Sequence, residues 1–210
     1  MARQLKINPA LYEFDANVRQ HFSVFCGVDE AGRGPLAGDV YAAAVILPEG
    51  LEIPGLDDSK KLSEARREAL APVIKEQALA WCIGTATVEE IEKLNILQAA
   101  LLAMHRAVEG LAVMPELALV DGNQPPVLPM QVATVISGDA KSASIAAASV
   151  LAKTARDASL RELDDLYPEY GFAKHKGYGT KAHYEAIAQY GPSPVHRMSF
   201  LRKYYEKHGQ

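Results

Sequence analysis

"HFSVFCGVDEAGRGPLAGDVYAAAVIL", residues 21–47, decides the fold. Two apolar runs, 21–29 and 39–47, have strand character, and the glycine-rich segment between them reads as a loop. The pair predicts a hairpin with a long connection. Asp29 and Glu30 stand at the end of the first run. Neighbouring strand residues point to opposite faces, so the two acids serve one site only if the strand breaks there. The glycines that follow make such a break the expectation.

Working outward, residues 63–77 read as a helix capped by Ser63, and "LAWCIGTATV" (79–88) as a third strand. One helix is expected over 87–111, opened by a Thr87–Glu90 capping box and closed at Gly110. "ELALVDG" is a buried strand ending at Asp121, and "MQVATVISGDA" another ending near Asp139. Residues 141–167 form a long alanine-rich helix able to pack closely on a sheet, and two short helices follow. Residues 1–21 have only weak helical signal. Three consecutive strands suggest an antiparallel meander, whereas the strands that follow helices suggest parallel pairing. The expected class is α/β, a mixed sheet flanked by helices. No linker divides the chain, so residues 1–210 are expected to form one domain, with a basic helical extension at about 167–210.

The bulk numbers fit a globular protein: 49% hydrophobic and 23% charged residues. No run approaches the roughly 20 apolar residues that span a bilayer. The N-terminus lacks a signal peptide's apolar core, so a cytoplasmic location without membrane contact is expected. Cys26 and Cys82 lie in apolar runs and read as buried free thiols. The net charge of −4 is unevenly spread. Residues 172–210 hold 7 Lys and Arg against 2 Asp and Glu, with His175, His183, His196 and His208 among them. A solvated tail and a polyanion-binding face fit this equally.

Asp29, Asp121 and Asp139 share one placement, the end of a strand, where ligands collect in open sheets. A single strand-terminal Asp often serves only its turn. Three such positions, one extended by Glu30, favour a shared site for a hard divalent cation, Mg²⁺ or Mn²⁺. Four clustered carboxylates repel unless cations neutralise them. Two ions about 3.5–4 Å apart would do so and would support in-line phosphoryl transfer.

The segments "GVDEAGRGPLAGDVYAAAVIL", "LDDSKKLSEARRE", "VDGN", "GDAKSASIAAASVLAKTARD" and "YPEYGFAKHKGYGTKAHYEAI…GPSPVHRMSF" together resemble the bacterial ribonuclease HII family over about residues 20–205. The resemblance implies a ribonuclease H-like fold with a C-terminal helical extension. It places the family's metal-binding carboxylates on Asp29, Glu30, Asp121 and Asp139. Its glycine–arginine–glycine segment falls on Gly32, Arg33 and Gly34, whose main chain would contact the ribonucleotide's 2′-hydroxyl. Its tyrosine at the RNA-to-DNA junction falls on Tyr178. The implied activity is cleavage of RNA–DNA hybrids and cutting 5′ of ribonucleotides embedded in duplex DNA, leaving 5′-phosphate and 3′-hydroxyl ends. Reading a 2′-hydroxyl from the backbone is chemically sensible, because that group separates RNA from DNA and a Cβ would obstruct close approach.

Weaker candidates for substrate contact are Lys60 and Lys61 as point charges toward phosphate, Asn95 and Ser142. Asn95 as a satisfied buried amide and Ser142 as a helix cap are the competing readings. His175, His183 and His196 read as structural or phosphate-facing. A monomer is expected. The rivals are ribonuclease HIII, another nuclease or transposase of the same fold, a nucleic-acid-binding protein with a lost site, and a Mg²⁺-dependent small-molecule phosphatase. The "GRG" form and the roughly 22 residues before the first strand disfavour the first. The second lacks the 2′-hydroxyl loop, the third would have lost an acid, and the last leaves the basic tail unused.

Overall fold

A computed structural model describes residues 5–208, with the side chains of residues 207 and 208 outside the description. His208, counted above with the basic tail, therefore stays outside the side-chain account. Helix α1 (Pro9–Arg19) precedes the hairpin β1 (Phe25–Ala31) and β2 (Val40–Ile46), which leads to α2 (Glu64–Gln77) and β3 (Ala80–Ala86). Helices α3 (Val88–Leu94) and α4 (Ile96–Glu109) follow, then β4 (Leu117–Asp121) and β5 (Gln131–Val135). A short 3₁₀ turn, Gly138–Ala140, enters the long α5 (Ala143–Leu166), and α6 (Phe172–His175), α7 (Lys181–Tyr190) and α8 (Met198–His208) complete the chain.

The sheet order is β3-β2-β1-β4-β5. The first three strands pair antiparallel, and β1–β4 and β4–β5 pair parallel, as the mixed-sheet reading expects. Strand alternation gives each face its own core. Ala42, Ala44 and Ile46 join Cys26, Val28 and the α4 residues Ala103, Met104 and Ala107 on one face. Ala43 and Val45 join Ala147, Val150 and Leu151 of α5 and Ile74 of α2 on the other. Close helix approach is why small residues dominate here. A Cβ on Gly27 would lie 2.1 Å from the Ser144 carbonyl carbon of α5.

Several sequence expectations fail. The 87–111 helix is broken at Asn95, which adopts φ 72° and caps α4 by accepting from the Leu97 and Gln98 N–H groups. Apolar periodicity runs through the break, so periodicity alone missed it. The tail holds three helices, not two, because Gly171 and Lys176 bracket an extra turn with positive φ. The first strand does not break at the acid pair: β1 continues through Glu30 and Ala31, which pair with Ala42 and Tyr41. Cys26 is buried as expected, but Cys82 is only half-buried.

The tail has its own apolar cluster around Phe172, Tyr170, Ile187 and Leu201, packed on Leu36 and Ala37 of the β1–β2 connection. Inside it, His183 and His196 form a neutral chain. His183 Nδ1 is 2.9 Å from the Tyr178 carbonyl, which only an N–H can satisfy, so its Nε2 is the acceptor for His196 Nε2–H at 3.0 Å. His196 Nδ1 then accepts from the Ser193 N–H at 2.9 Å and the Ser193 hydroxyl at 2.8 Å. A proton added to either ring would set donor against donor. Burial, reinforced at His196 by His183, pulls both imidazoles from 6.5 down to about 4. The unfolded chain binds these protons first, so the pair withdraws stability as pH falls from 6.5 toward 4. NMR of the imidazole carbons should find both rings neutral at pH 5. Midpoints near 6.5 would contradict the network.

Candidate active site

The acids converge because two strands end at different heights. The last parallel pair of β1 and β4 is Val28 with Val120, and Gly122 (φ 93°) then turns the chain away. Asp29 therefore sits beside Asp121 at an open edge, and β1 runs on uncovered on that side. Asp139 arrives differently from the sequence expectation. It lies in the 3₁₀ turn, four residues beyond the end of β5 at Val135, not at a strand end. Its turn is tied to β4 by the Gly138 N–H, which donates to Asp121 Oδ1 at 2.6 Å.

Asp29, Asp121 and Asp139 each offer a carboxylate oxygen, and these lie within 4.8 Å of one another. Glu30 stands outside that group. The unbroken strand turns it to the α4 face, where its Oε1 accepts from Arg33 Nη1 at 3.2 Å. It still shares one cleft of about 490 Å³ with Asp29 and Asp121, because no strand covers β1 there. Burial pushes the Asp29 carboxyl well up, and the charges of Glu30 and Asp121 push it further. Burial also raises Glu30, with Arg33 pulling it back, and raises Asp121 against the Gly138 hydrogen bond. Clustered hard oxygen donors that resist joint ionisation are a fit for a divalent cation, which removes the repulsion.

The same cleft brings in Gly32, Arg33, Gly34 and Tyr178. Gly32 has φ 104°, and a Cβ there would lie 2.2 Å from the buried Arg156 Nε. Tyr178 is 47% exposed, with its ring edge 3.5 Å from where a Gly34 Cβ would be. Its turn is fixed by Lys176 and Gly177, both with positive φ, and by the Leu36 N–H donating to the Gly177 carbonyl at 2.8 Å.

The weaker candidates separate. Lys60 Nζ donates to Asp139 Oδ2 at 2.7 Å, and that contact raises the ammonium above its ordinary range. Lys61 faces solvent beside Asp57 at 3.5 Å. Ser142 is a correction. It is fully buried, donates to Asp15 at 2.6 Å and caps α5 at the Ile145 N–H, so no substrate atom can reach it. Asn95 is exposed rather than buried, and its carbonyl is engaged in capping α4. The basic tail also carries less free charge than its count suggests. Arg197 is buried, Lys176 pairs with Glu64 at 2.8 Å, and Lys181 stands 3.6 Å from Glu185.

Ser149 and Arg67 of the cleft escaped the sequence reading, and Lys153 was marked there only as flanking the helix after Asp139. Ser149 lies beside Asp29, and its hydroxyl is 2.6 Å from that of Ser59. Lys153 donates to Asp157 Oδ1 at 2.6 Å, and Arg67 approaches the other oxygen of that carboxylate at 3.5 Å. Arg67 also donates to the Ser59 carbonyl at 3.0 Å, holding the loop that carries Lys60. The available signal was spacing: Ser149, Lys153 and Asp157 recur every four residues and form one polar stripe on α5.

Comparison with known proteins fits this geometry. The family model described as Ribonuclease HII matches residues 26–203. The chain belongs to the ribonuclease HII family. The ribonuclease HII of Laribacter hongkongensis is 64% identical over 177 residues, 83% of this chain and 89% of that protein. The ribonuclease HII of Vibrio parahaemolyticus is 58% identical over 181 residues, 86% of each chain. Among solved structures, ribonuclease H2 from Pyrococcus horikoshii OT3 superimposes with a TM-score of 0.71 at 25% identity, covering 89% of this chain and 99% of that one. The ribonuclease H-like fold read from the sequence is thus borne out, and the protein is an endoribonuclease of the ribonuclease H type. No helix among the described residues is long and apolar enough to cross a membrane.

Proposed function

We propose that this ribonuclease HII family member hydrolyses the RNA strand of RNA–DNA hybrids and cuts 5′ of single ribonucleotides embedded in duplex DNA. The observation that carries this reading is the shared cleft: the Asp29–Asp121–Asp139 cluster opens beside the Gly32–Gly34 backbone and Tyr178. Asp29, Asp121 and Asp139, with Glu30 at the rim, would hold Mg²⁺ or Mn²⁺. Two such ions, when bound, neutralise the acids and polarise water and phosphate oxygens for in-line displacement. The protein's own groups do the rest. Lys60 and Lys153 line the cleft as cations for flanking phosphates. The N–H groups of Arg33 and Gly34 have no protein acceptor among the described residues, which suits them to a 2′-hydroxyl. Tyr178 offers an exposed ring against the sugar at the junction. The products would carry 5′-phosphate and 3′-hydroxyl ends. Residues 1–210 would act as one monomeric catalytic unit in the cytoplasm.

Tyr178→Ala is expected to slow cutting at an embedded ribonucleotide by about 10–100-fold, with a smaller change in substrate affinity, because most binding comes from backbone contacts. Gel assays of single-turnover rate beside fluorescence anisotropy read both. An unchanged rate would return Tyr178 to the role of a surface residue.

A further inference from the structure

The side chain of Arg197 sits behind the 32–38 connection rather than in the cleft, and it is fully buried. Nε donates to the Gly38 carbonyl at 2.9 Å, and Nη1 donates to the Arg33 and Pro35 carbonyls at 3.2 and 2.9 Å. Nη2 donates to the Gly32 carbonyl at 2.7 Å and again to Gly38 at 2.6 Å. A guanidinium has five N–H donors, and all five go to four carbonyls of one connection. No carboxylate pairs with it among the described residues, although a buried cation ordinarily requires one. Burial, with Arg156 nearby, pulls the guanidinium down to about 9.

The backbone around it has the same target. The Arg197 N–H donates to the Leu36 carbonyl at 2.7 Å, and the Gly38 N–H to the Val195 carbonyl at 2.9 Å. On a peptide chain, carbonyls drawn to one side leave the intervening N–H groups facing the other. Gly32, Arg33 and Gly34 line the cleft, on the flank of the connection away from Arg197.

We infer that Arg197 is a positioning residue for recognition of the 2′-hydroxyl: it draws the Gly32, Arg33, Pro35 and Gly38 carbonyls inward so that the Arg33 and Gly34 N–H groups face the ribose. The inference rests on the substrate reading proposed above. It makes the distant "VHR" segment part of the ribose reader, although it touches no substrate. Lysine cannot substitute, since its ammonium is a point charge with three donors and no fork.

The test compares cleavage of a duplex with one embedded ribonucleotide and the same duplex carrying a 2′-fluoro nucleotide at that position. Fluorine keeps an electronegative 2′ substituent but is a far poorer acceptor than a hydroxyl oxygen for the Arg33 and Gly34 N–H groups. Wild-type protein should strongly prefer the ribonucleotide, and no preference would sink the substrate reading itself. In Arg197→Lys and Arg197→Gln, with rates normalised to active enzyme, kcat on the ribonucleotide should fall about 100-fold with KM within about threefold. The ribo-to-fluoro ratio should shrink at least about tenfold with it. Gly38→Ala strains the carbonyl that takes two of the five bonds and should shrink the ratio in the same direction. A purely structural arginine would slow both substrates alike. An unchanged ratio in the variants that retain wild-type circular dichroism would overturn the inference.

Discussion

Asp121→Asn is expected to leave a folded protein that binds its substrate and cuts it at least about 10³-fold more slowly. The amide keeps an oxygen for the Gly138 N–H, so the turn that carries Asp139 stays in place. What changes is the charge. One of the three converging carboxylates becomes a poorer donor for a divalent cation. The same change should stabilise the metal-free protein. Burial and neighbouring acids raise the Asp29, Glu30 and Asp121 carboxyls, so each destabilises the fold once pH rises far enough to ionise it there. Removing one charge relieves the others at neutral pH. Differential scanning calorimetry should therefore show a higher melting temperature for Asp121→Asn without metal. It should also show that Mn²⁺ raises the wild-type melting temperature, by an amount equivalent to about 2.7 kcal/mol at a hundred times its Kd, and raises the variant's much less. Near-normal cutting by the variant, or equal Mn²⁺ shifts in both proteins, would remove Asp121 from the metal centre.

Gly27→Ala should have the largest effect on stability. The glycine is in the middle strand, where its missing side chain lets α5 lie directly on β1. A methyl group would meet backbone, 2.1 Å from the Ser144 carbonyl carbon and 2.2 Å from the Ile145 nitrogen. Neither atom can rotate aside, so strand and helix must separate. Overpacking of this kind costs about 1–3 kcal/mol in flexible surroundings, and more against backbone. We expect a loss of at least about 3 kcal/mol, a large part of the roughly 5–15 kcal/mol that holds a domain together. Activity should fall with it, because Ser144 belongs to the helix entry that follows Asp139. Urea unfolding read by circular dichroism checks this. An unchanged midpoint would mean that α5 does not approach β1 as closely as described.

The contrast between these two positions shows what was legible in the sequence. The sheet was readable because "VYAAAVI" alternates between two buried faces and its neighbours end in turn residues. The cluster of Asp29, Asp121 and Asp139 was readable because carboxylates that follow apolar runs are chemically conspicuous. The route by which Asp139 reaches it was not, since Ser137 adopts a left-handed conformation that composition does not signal. The Asn95 break was hidden by unbroken apolar spacing, although Asn before "ILQ" is a legitimate cap. Charge counting settled least. It left residues 172–210 open between a solvated tail and a polyanion-binding face, whereas Arg197 points inward at carbonyls and Lys176 is held by Glu64. Whether a cation faces solvent or backbone is settled by tertiary packing, which a count does not contain. The Gly32–Gly34 segment was legible as bare backbone. Its link to a 2′-hydroxyl came from family resemblance, and the described geometry adds an open cleft, Tyr178 and the Arg197 anchor.

In the function proposed, the acids that cut and the backbone that reads the ribose act as one site. A single competition assay tests it most directly. Two otherwise identical DNA duplexes, one carrying a single ribonucleotide, are mixed with the enzyme and Mn²⁺, and products are mapped at nucleotide resolution. One cut is expected, on the 5′ side of the ribonucleotide, with a 5′-phosphate on the downstream fragment and an intact all-DNA duplex. Equal cutting of both duplexes would contradict it, leaving a metal-dependent nuclease whose glycine-rich loop reads nothing.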